Sequence, residues 1–242
     1  MSYCPCAVVP VYNHSERLPA IVERLRNAGL HCLLVNDGSD ALHTQRIRSL
    51  SLKNNAVTVI EHPCNRGKGA AVKTGLRAAW EGGYSHALQV DADGQHDLAH
   101  VEAFLSVART YPDHLICGRP RFDDSIPKGR YYGRYLTHVW VWINTGSFSI
   151  PDAMCGFRVY PIAAIIPLLT ANTLGDRMDF DIEILVRAYW WKIPMKWLPV
   201  RVHYPRNNRS HFRPWEDNWR ISRMHARLFF HRFFSSAWQP RN

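Results

Sequence analysis

Short apolar runs ending in polar residues alternate, through the first half of the chain, with stretches whose apolar residues return every three or four positions. Cys6-Ala7-Val8-Val9-Pro10-Val11 reads as a first buried strand, with Tyr12-Asn13-His14-Ser15 as the loop at its carboxyl end. Leu18, Ile21, Val22 and Leu25 then recur at helical spacing, and Gly29 supplies a stop. A second strand, Cys32-Leu33-Leu34-Val35, ends in Asn36-Asp37-Gly38-Ser39. The third, Val57-Thr58-Val59-Ile60, leads to Asn65-Arg66-Gly67-Lys68-Gly69 and a helix with Ala71, Val72, Leu76 and Ala79 on one side. Ala87-Leu88-Gln89-Val90 is the fourth strand and delivers Asp91-Ala92-Asp93-Gly94-Gln95-His96. Leu98, Val101, Phe104 and Leu105 mark the next helix, and Leu115-Ile116-Cys117 a fifth strand. Strands alternating with helices predict an α/β domain with a mostly parallel central sheet, whose ligands sit beyond the carboxyl ends of the strands. Tyr12, Asp37, Asp91, Asp93 and Arg119 all fall at or just after such ends. Helix and turn capping explains Asp97 and Ser39 singly, but it explains the convergent set poorly.

The pattern changes after Arg119. Between Gly129 and Ile150, Tyr131, Tyr132, Tyr135, Trp140 and Trp142 mix with Arg130, Arg134 and His138, as in a packed helix or one resting on a bilayer surface. Asp152 and Arg158 bracket Cys155-Gly156-Phe157, either as a buried ion pair or with Arg158 free for an acceptor phosphate. Met178-Asp179-Phe180-Asp181-Ile182-Glu183 opens a helix through Leu185, Val186 and Ala188. Acids in a first turn suit the helix dipole by themselves. Transfer to a neutral hydroxyl would need one of them as a general base, whereas a phosphate acceptor has no proton to lose. Val200 to Tyr204 reads as a further strand before the basic loop 205–213. From Trp215 to Trp238, aromatic and apolar residues interleave with Arg220, Arg223, Arg227, His231 and Arg232. That tail is too charged to span a membrane and suits an interfacial helix, or one docked on the domain or a second subunit.

Composition narrows the class. With 242 residues, 46% hydrophobic and 21% charged, the chain is long enough to bury one sizeable core. It has no run of about 18 apolar residues, as a spanning helix would need. Met1 to Cys6 lacks the pattern of a signal peptide, so a cytoplasmic location is expected. Cys4 and Cys6 have no second pair at zinc spacing, and the scattered cysteines read as reduced, packed thiols. The net charge of +10 favours a polyanionic partner: nucleic acid, anionic lipid or a phosphorylated substrate. A basic nucleic-acid-binding module would leave the strand-end aspartates unexplained, because carboxylates repel phosphate unless a cation intervenes. No nucleic-acid partner is therefore expected.

Two carboxylates one residue apart at the end of a strand suit Mg²⁺ or Mn²⁺, which take one or two protein carboxylates and fill the remaining positions with water and phosphate oxygens. Gly67-Lys68-Gly69 fits neither a dinucleotide fingerprint, having Val72 at the third glycine position, nor a P-loop. Its duty is a tight turn that starts a helix, with Lys68 either structural or close to phosphate.

Val8-Val9-Pro10-Val11-Tyr12-Asn13, Val35-Asn36-Asp37-Gly38-Ser39, Asn65-Arg66-Gly67-Lys68-Gly69-Ala70, Asp91-Ala92-Asp93-Gly94-Gln95-His96 and Cys155-Gly156-Phe157-Arg158 together resemble the ordered motifs of family 2 glycosyltransferases, especially the dolichyl-phosphate mannosyltransferase-like branch. The resemblance runs from about residue 6 to residue 213. It implies a single-domain, Rossmann-like glycosyltransferase-A fold over 1–213, followed by a basic aromatic tail over 214–242. It also implies an inverting, metal-dependent transferase that moves a hexose-type sugar from a nucleoside diphosphate to a lipid-linked acceptor, most simply a polyprenyl phosphate, with transfer to a hydroxyl as the alternative. On this resemblance Pro10 and Tyr12 frame the base or ribose, and Asp37 binds the nucleoside. Asp91, with Ala92 beside it, contacts the nucleotide, Asp93 and Gln95 hold Mg²⁺ or Mn²⁺, and Arg119 approaches the diphosphate or acceptor. Lys68 joins the donor site, Arg158 and His211 serve the acceptor, and Asp181 and Arg206 complete the catalytic set. The family often carries acids where this chain has His14 and Asn36, and the donor base is left open. A peripheral position on the cytoplasmic face of a membrane follows as an expectation.

Overall fold

The computed structural model describes residues 2–53, 55–122, 128–202 and 214–234. Arg206 and His211 lie outside the described residues. In chain order the elements are β1 (Pro5–Val11), α1 (Leu18–Asn27), β2 (His31–Asp37), α2 (Ala41–Leu52), β3 (Val57–His62), α3 (Lys68–Glu81), β4 (His86–Gln89), α4 (Val101–Thr110), β5 (Leu115–Phe122), α5 (Lys128–Thr145), β6 (Arg158–Pro161), α6 (Ile162–Ala171), α7 (Phe180–Trp190), β7 (Met195–Val202) and α8 (Pro214–Phe234). One 3₁₀ turn, Leu98–His100, precedes α4 and is capped by the Asp97 carboxylate, which accepts from Ala99 N.

The strands form one seven-stranded sheet in the order β3-β2-β1-β4-β6-β5-β7. Every neighbouring pair is parallel except the two that involve β6. The chain winds outward from β1 through β2 to β3, then returns to lay β4 on the other side of β1. The crevice beyond the ends of β1 and β4 is thus a topological switch point, where open α/β sheets bind ligands.

Alternate residues of each strand face opposite layers. Val8, Leu33, Cys117 and Tyr160 pack toward α3, α5, α6, α7 and α8. Val9, Leu34, Ile116 and Val159 pack toward α1 and α4. Cys6, Cys32, Cys117 and Cys155 are buried, and burial pushes the thiols of the last three up to about 12, as expected of cysteines that act as small hydrophobes.

Two differences from the sequence expectations have physical causes, and one open alternative is resolved. Helix α2 buries only Ile47 and exposes Leu42 and Leu52, so it has almost no apolar periodicity; Asp40 starts it by accepting from His43 N. Strand β7 begins at Met195, earlier than Val200, and tolerates Pro199 because it lies at the edge of the sheet. The C-terminal α8 docks onto α5, with Ile221, Met224 and Leu228 joining the core. The described residues contain no helix long and apolar enough to cross a membrane.

Candidate active site at the strand ends

The crevice is built from loops that lock onto one another. Asp37, at the end of β2, is buried, and its carboxylate turns inward. Oδ1 accepts from Arg66 N at 2.9 Å and pairs with His62 Nδ1 at 2.7 Å, while Oδ2 accepts from Gly67 N at 2.8 Å. Asp37 therefore ties down the loop after β3, and the nucleoside contact expected of it has little carboxylate surface left. Gly67 needs its positive φ of 107°, and a side chain there would run into the Asp176 carbonyl. Lys73 grips the same 174–176 loop through the carbonyls of Leu174 and Gly175 and the Asp176 carboxylate. Asn36 caps its own turn, accepting from Ser39 N and donating to Thr44 Oγ1. Pro10 is buried within β1, so half-buried Tyr12 is the member of that pair with surface to offer.

This frame places Lys68, the first residue of α3, between two carboxylates. Its ammonium lies 2.8 Å from Asp91 Oδ2 and 2.8 Å from Asp181 Oδ2. Behind them, Gln89 Nε2 donates to Asp181 Oδ1 at 3.3 Å, and Tyr160 Oη donates to Gln89 Oε1 at 2.8 Å. Arg158 Nη1 reaches Tyr160 Oη at 3.5 Å and lies 3.9 Å from Asp181 Oδ1. Gly156 is required here, because a Cβ on it would sit 2.8 Å from both Asp91 Oδ2 and Lys68 Nζ. Burial alone would lower the Lys68 pKa, but Asp181 and Asp91 outweigh it and raise it, so the ammonium stays charged. Burial likewise favours the neutral form of Asp91, and Lys68 and His96 reverse this and lower its pKa.

Two expectations for this region change. Arg158 is 1% exposed and donates to the Ala153 carbonyl, so it supports the site from below and has no surface for an acceptor phosphate. It does not pair with Asp152, whose buried carboxylate is held instead by Arg134 and His138; burial pushes that carboxyl up, and these partners bring it down to about 2. Asp181 is 4% exposed, with Oδ2 on Lys68 and Oδ1 accepting from Gln89, so its carboxylate is engaged within the site and offers little surface to a base's substrate. Glu183 is fully buried between Arg187, Arg227 and Gly175 N. Asp179 accepts from Arg177 N, and burial raises its pKa.

The aspartate triplet sits at the mouth of the crevice. Asp93 Oδ1 accepts from Gln95 N in a tight turn through Gly94, and Arg17 donates to the Asp93 carbonyl. Ala92 is buried, which fixes the backbone between the two acids. Asp91 Oδ1 is buried and has no hydrogen-bond partner, and neither has His96 Nδ1. The orphaned carboxylate oxygen belongs to the same loop as Asp93 and Gln95, and the three side chains offer oxygen donors of the kind Mg²⁺ or Mn²⁺ takes, with a diphosphate to complete the shell. Among the described residues, no three His, Cys, Asp or Glu side chains gather into a self-sufficient metal cage. His96 packs against Phe157 with the rings tilted by 50°, and burial lowers its pKa against the pull of the nearby aspartates. Arg119 stands exposed on β5 beside a groove it shares with Pro120, Arg121, Trp197 and Pro199. Gln89 and Tyr160 were not anticipated; a glutamine inside an otherwise apolar strand was the available signal for the first.

A sheet with this strand order and one antiparallel strand, with an acidic loop at its switch point, has the glycosyltransferase-A fold. The chain belongs to glycosyl transferase family 2, whose family model matches residues 6–165. It is 30% identical over 218 residues to a dolichyl-phosphate beta-glucosyltransferase of Drosophila melanogaster, across 80% of this chain and 65% of that protein, so it spans just under two thirds of that relative's length. It is 27% identical over 198 residues to an undecaprenyl-phosphate mannosyltransferase of Micrococcus luteus, across 81% of this chain and 77% of that one. The fold is shared with glucosyl-3-phosphoglycerate synthase of Mycobacterium tuberculosis, solved with Mn²⁺, UDP-glucose and phosphoglyceric acid, at a TM-score of 0.69 and 13% identity over 96% of this chain and 80% of that one.

Proposed function

We propose that this glycosyltransferase moves a sugar, with inversion, from a nucleoside diphosphate to a polyprenyl phosphate. The observation that carries the reading is the state of the acidic turn. Asp181 and Glu183 are both buried in ion pairs, and neither can take a proton from an acceptor. An acceptor that arrives as a phosphate monoester is already an anion and needs no such base. Its oxygen attacks the anomeric carbon, the bond from that carbon to the diphosphate oxygen breaks, and the nucleoside diphosphate leaves with the electron pair. Relatives named for dolichyl-phosphate and undecaprenyl-phosphate substrates support the same acceptor class.

Asp91, Asp93 and Gln95 would hold Mg²⁺ or Mn²⁺, which when bound neutralises charge developing on the departing diphosphate. Lys68 keeps Asp91 ionised and fixed, and Tyr12 stands at the nucleoside end. Arg119 adds positive charge near the acceptor path. The chain's basic character and aromatic helices agree with work at a membrane surface.

Asp179 gives the hydroxyl alternative its foothold, since among the described residues no ion pair engages it, and burial raises its pKa. The two readings separate when the purified chain is offered a labelled nucleotide sugar, Mn²⁺, and either a polyprenyl phosphate or the matching polyprenol. Transfer to the phosphate alone is expected. Transfer to the alcohol at an equal or greater rate would reject the phosphate acceptor.

A further inference from the structure

Two carboxylates of the acidic turn, Asp179 and Glu183, close on Gly175. A Cβ added to that glycine would run into the Asp179 carboxylate, and its amide donates to Glu183 Oε2 at 2.9 Å. Glu183 is fully buried. Its own helix supplies one cation, Arg187, whose Nε donates to Oε1 at 2.8 Å. The second comes from the C-terminal helix: Arg227 of α8 donates from Nη2 to Glu183 Oε2 at 2.6 Å. Two carboxylates and two guanidiniums make this cluster, and one of the four is lent by α8. Asp179 feels the same charges, since burial raises its pKa first, Glu183 adds to the rise and Arg227 opposes it.

Gly175 belongs to the loop that fixes the start of α3. The Asp176 carbonyl beside it accepts from Ala70 N at 2.9 Å, and Gly67, one residue before Lys68, lies against that carbonyl with no room for a Cβ. Lys73 holds the carbonyls of Leu174 and Gly175 from the same helix. From the other side, two residues before Glu183, Asp181 takes the Lys68 ammonium at 2.8 Å, and that ammonium meets Asp91. Glu183 therefore joins Arg227 to both supports of Lys68: the loop through Gly175 N, and the first turn of α7 through its own backbone.

We propose that Arg227 is a positioning residue for the donor site, its charge balancing Asp179 and Glu183 so that the 174–176 loop stays seated on α3 and Lys68 stays against Asp91. It acts through Glu183 and Gly175 and makes α8 a working part of the transferase. Without Arg227 the two buried carboxylates share Arg187 alone, and uncompensated buried charge is costly. Moving Gly175 away from Glu183 relieves it, and loosens the start of α3. Ile221, Met224 and Leu228 keep α8 docked meanwhile, because their burial in the core is independent of Arg227. The inference rests on the reading of the crevice as a nucleoside diphosphate site.

Calorimetric titration of UDP and GDP with Mn²⁺ into the full chain tests it, comparing the wild type with Arg227→Met, Arg227→Lys and the double variant Arg227→Met/Asp179→Asn. Arg227→Met should weaken the nucleotide that the wild type binds by about tenfold, the low end for a hydrogen bond between charged groups, because the arginine side chain is 47% exposed and solvent screens it. Arg227→Lys keeps the charge and should recover most of this loss. So should the double variant, which removes one carboxylate charge with the arginine and leaves Glu183 to Arg187. Equal losses in all three variants would show a packing role and overturn the proposal. Hydrogen exchange of the unliganded chain gives the second readout: the Ala70 amide should exchange faster in Arg227→Met and return toward the wild-type rate in the double variant. An Arg227→Met chain that binds nucleotide as the wild type does, or whose Ala70 amide exchanges at the wild-type rate, would overturn the proposal as well. A wild type that binds neither nucleotide would sink the donor-site reading instead, while faster Ala70 exchange in Arg227→Met would still uphold the charge link from α8 to α3.

Discussion

Replacing Asp181 by Asn and Lys68 by Met, singly and together, asks whether the acidic turn positions the site or performs chemistry. The Lys68 ammonium is 2.8 Å from Asp181 Oδ2 and 2.8 Å from Asp91 Oδ2. Hydrogen bonds to charged groups contribute about 1.5–3 kcal/mol, and breaking a buried pair on one side costs about 3–5 kcal/mol. After Asp181→Asn the ammonium keeps Asp91, so the lower range applies: about 2 kcal/mol, or roughly thirtyfold in kcat/KM. If Asp181 acts only through Lys68, the two changes are not additive. In the Lys68→Met background, Asp181→Asn should then cost less than about threefold. The assay is a double-mutant cycle on kcat/KM with the phosphate acceptor, alongside urea unfolding of each variant. A general base would show itself as a loss of about 10²–10⁴ that is the same in both backgrounds, with unfolding midpoints unchanged. That result would refute the positioning role and, with it, the argument for an anionic acceptor.

Two further outcomes follow from the same geometry. Gly156→Ala puts a methyl 2.8 Å from Asp91 Oδ2 and Lys68 Nζ, so it should lower activity at least about tenfold and destabilise by about 1–3 kcal/mol, read by kinetics and thermal melting. His225 is buried, its pKa is lowered by burial to about 4, and its Nε2 lacks a partner. The unfolded chain takes up this proton below about pH 6.5 and the native chain only near pH 4, so stability is full above pH 6.5 and is lost as pH falls toward 4, by at most roughly 3 kcal/mol. His225→Asn should flatten that stretch of the urea-unfolding pH profile; an unchanged profile would remove His225 as its source.

Much of the first half of the fold was legible because β1, β2 and β4 are buried runs that each lead into polar residues, and β3, though only partly buried, is a short β-branched run, which left the switch-point crevice and its aspartates readable from spacing alone. Helix α2 was not, since a helix that buries one residue leaves no periodic trace. Helix α6 is apolar nearly all round and contains Pro167, and β6 has four residues beginning with a charge, so neither carried a pattern to find. The inward use of Asp37 depends on amides 29 and 30 residues away, and the burial of Arg158 on Tyr160 and Asp181. Such roles arise from loop closure, which sequence spacing does not encode. The apolar tail was visible as residue types, but which of its sides is buried emerged only once α8 was seated on α5.

Calorimetric titration of UDP and GDP into the wild-type chain and into Asp93→Ala, each with and without Mn²⁺, bears most directly on the central claim that this crevice holds a diphosphate through a cation on its acidic loop. Saturable binding of one nucleotide that needs Mn²⁺ and disappears in Asp93→Ala, with the variant's melting temperature preserved, is the predicted result. Binding that is indifferent to both the ion and Asp93, or no binding of either nucleotide, would contradict it.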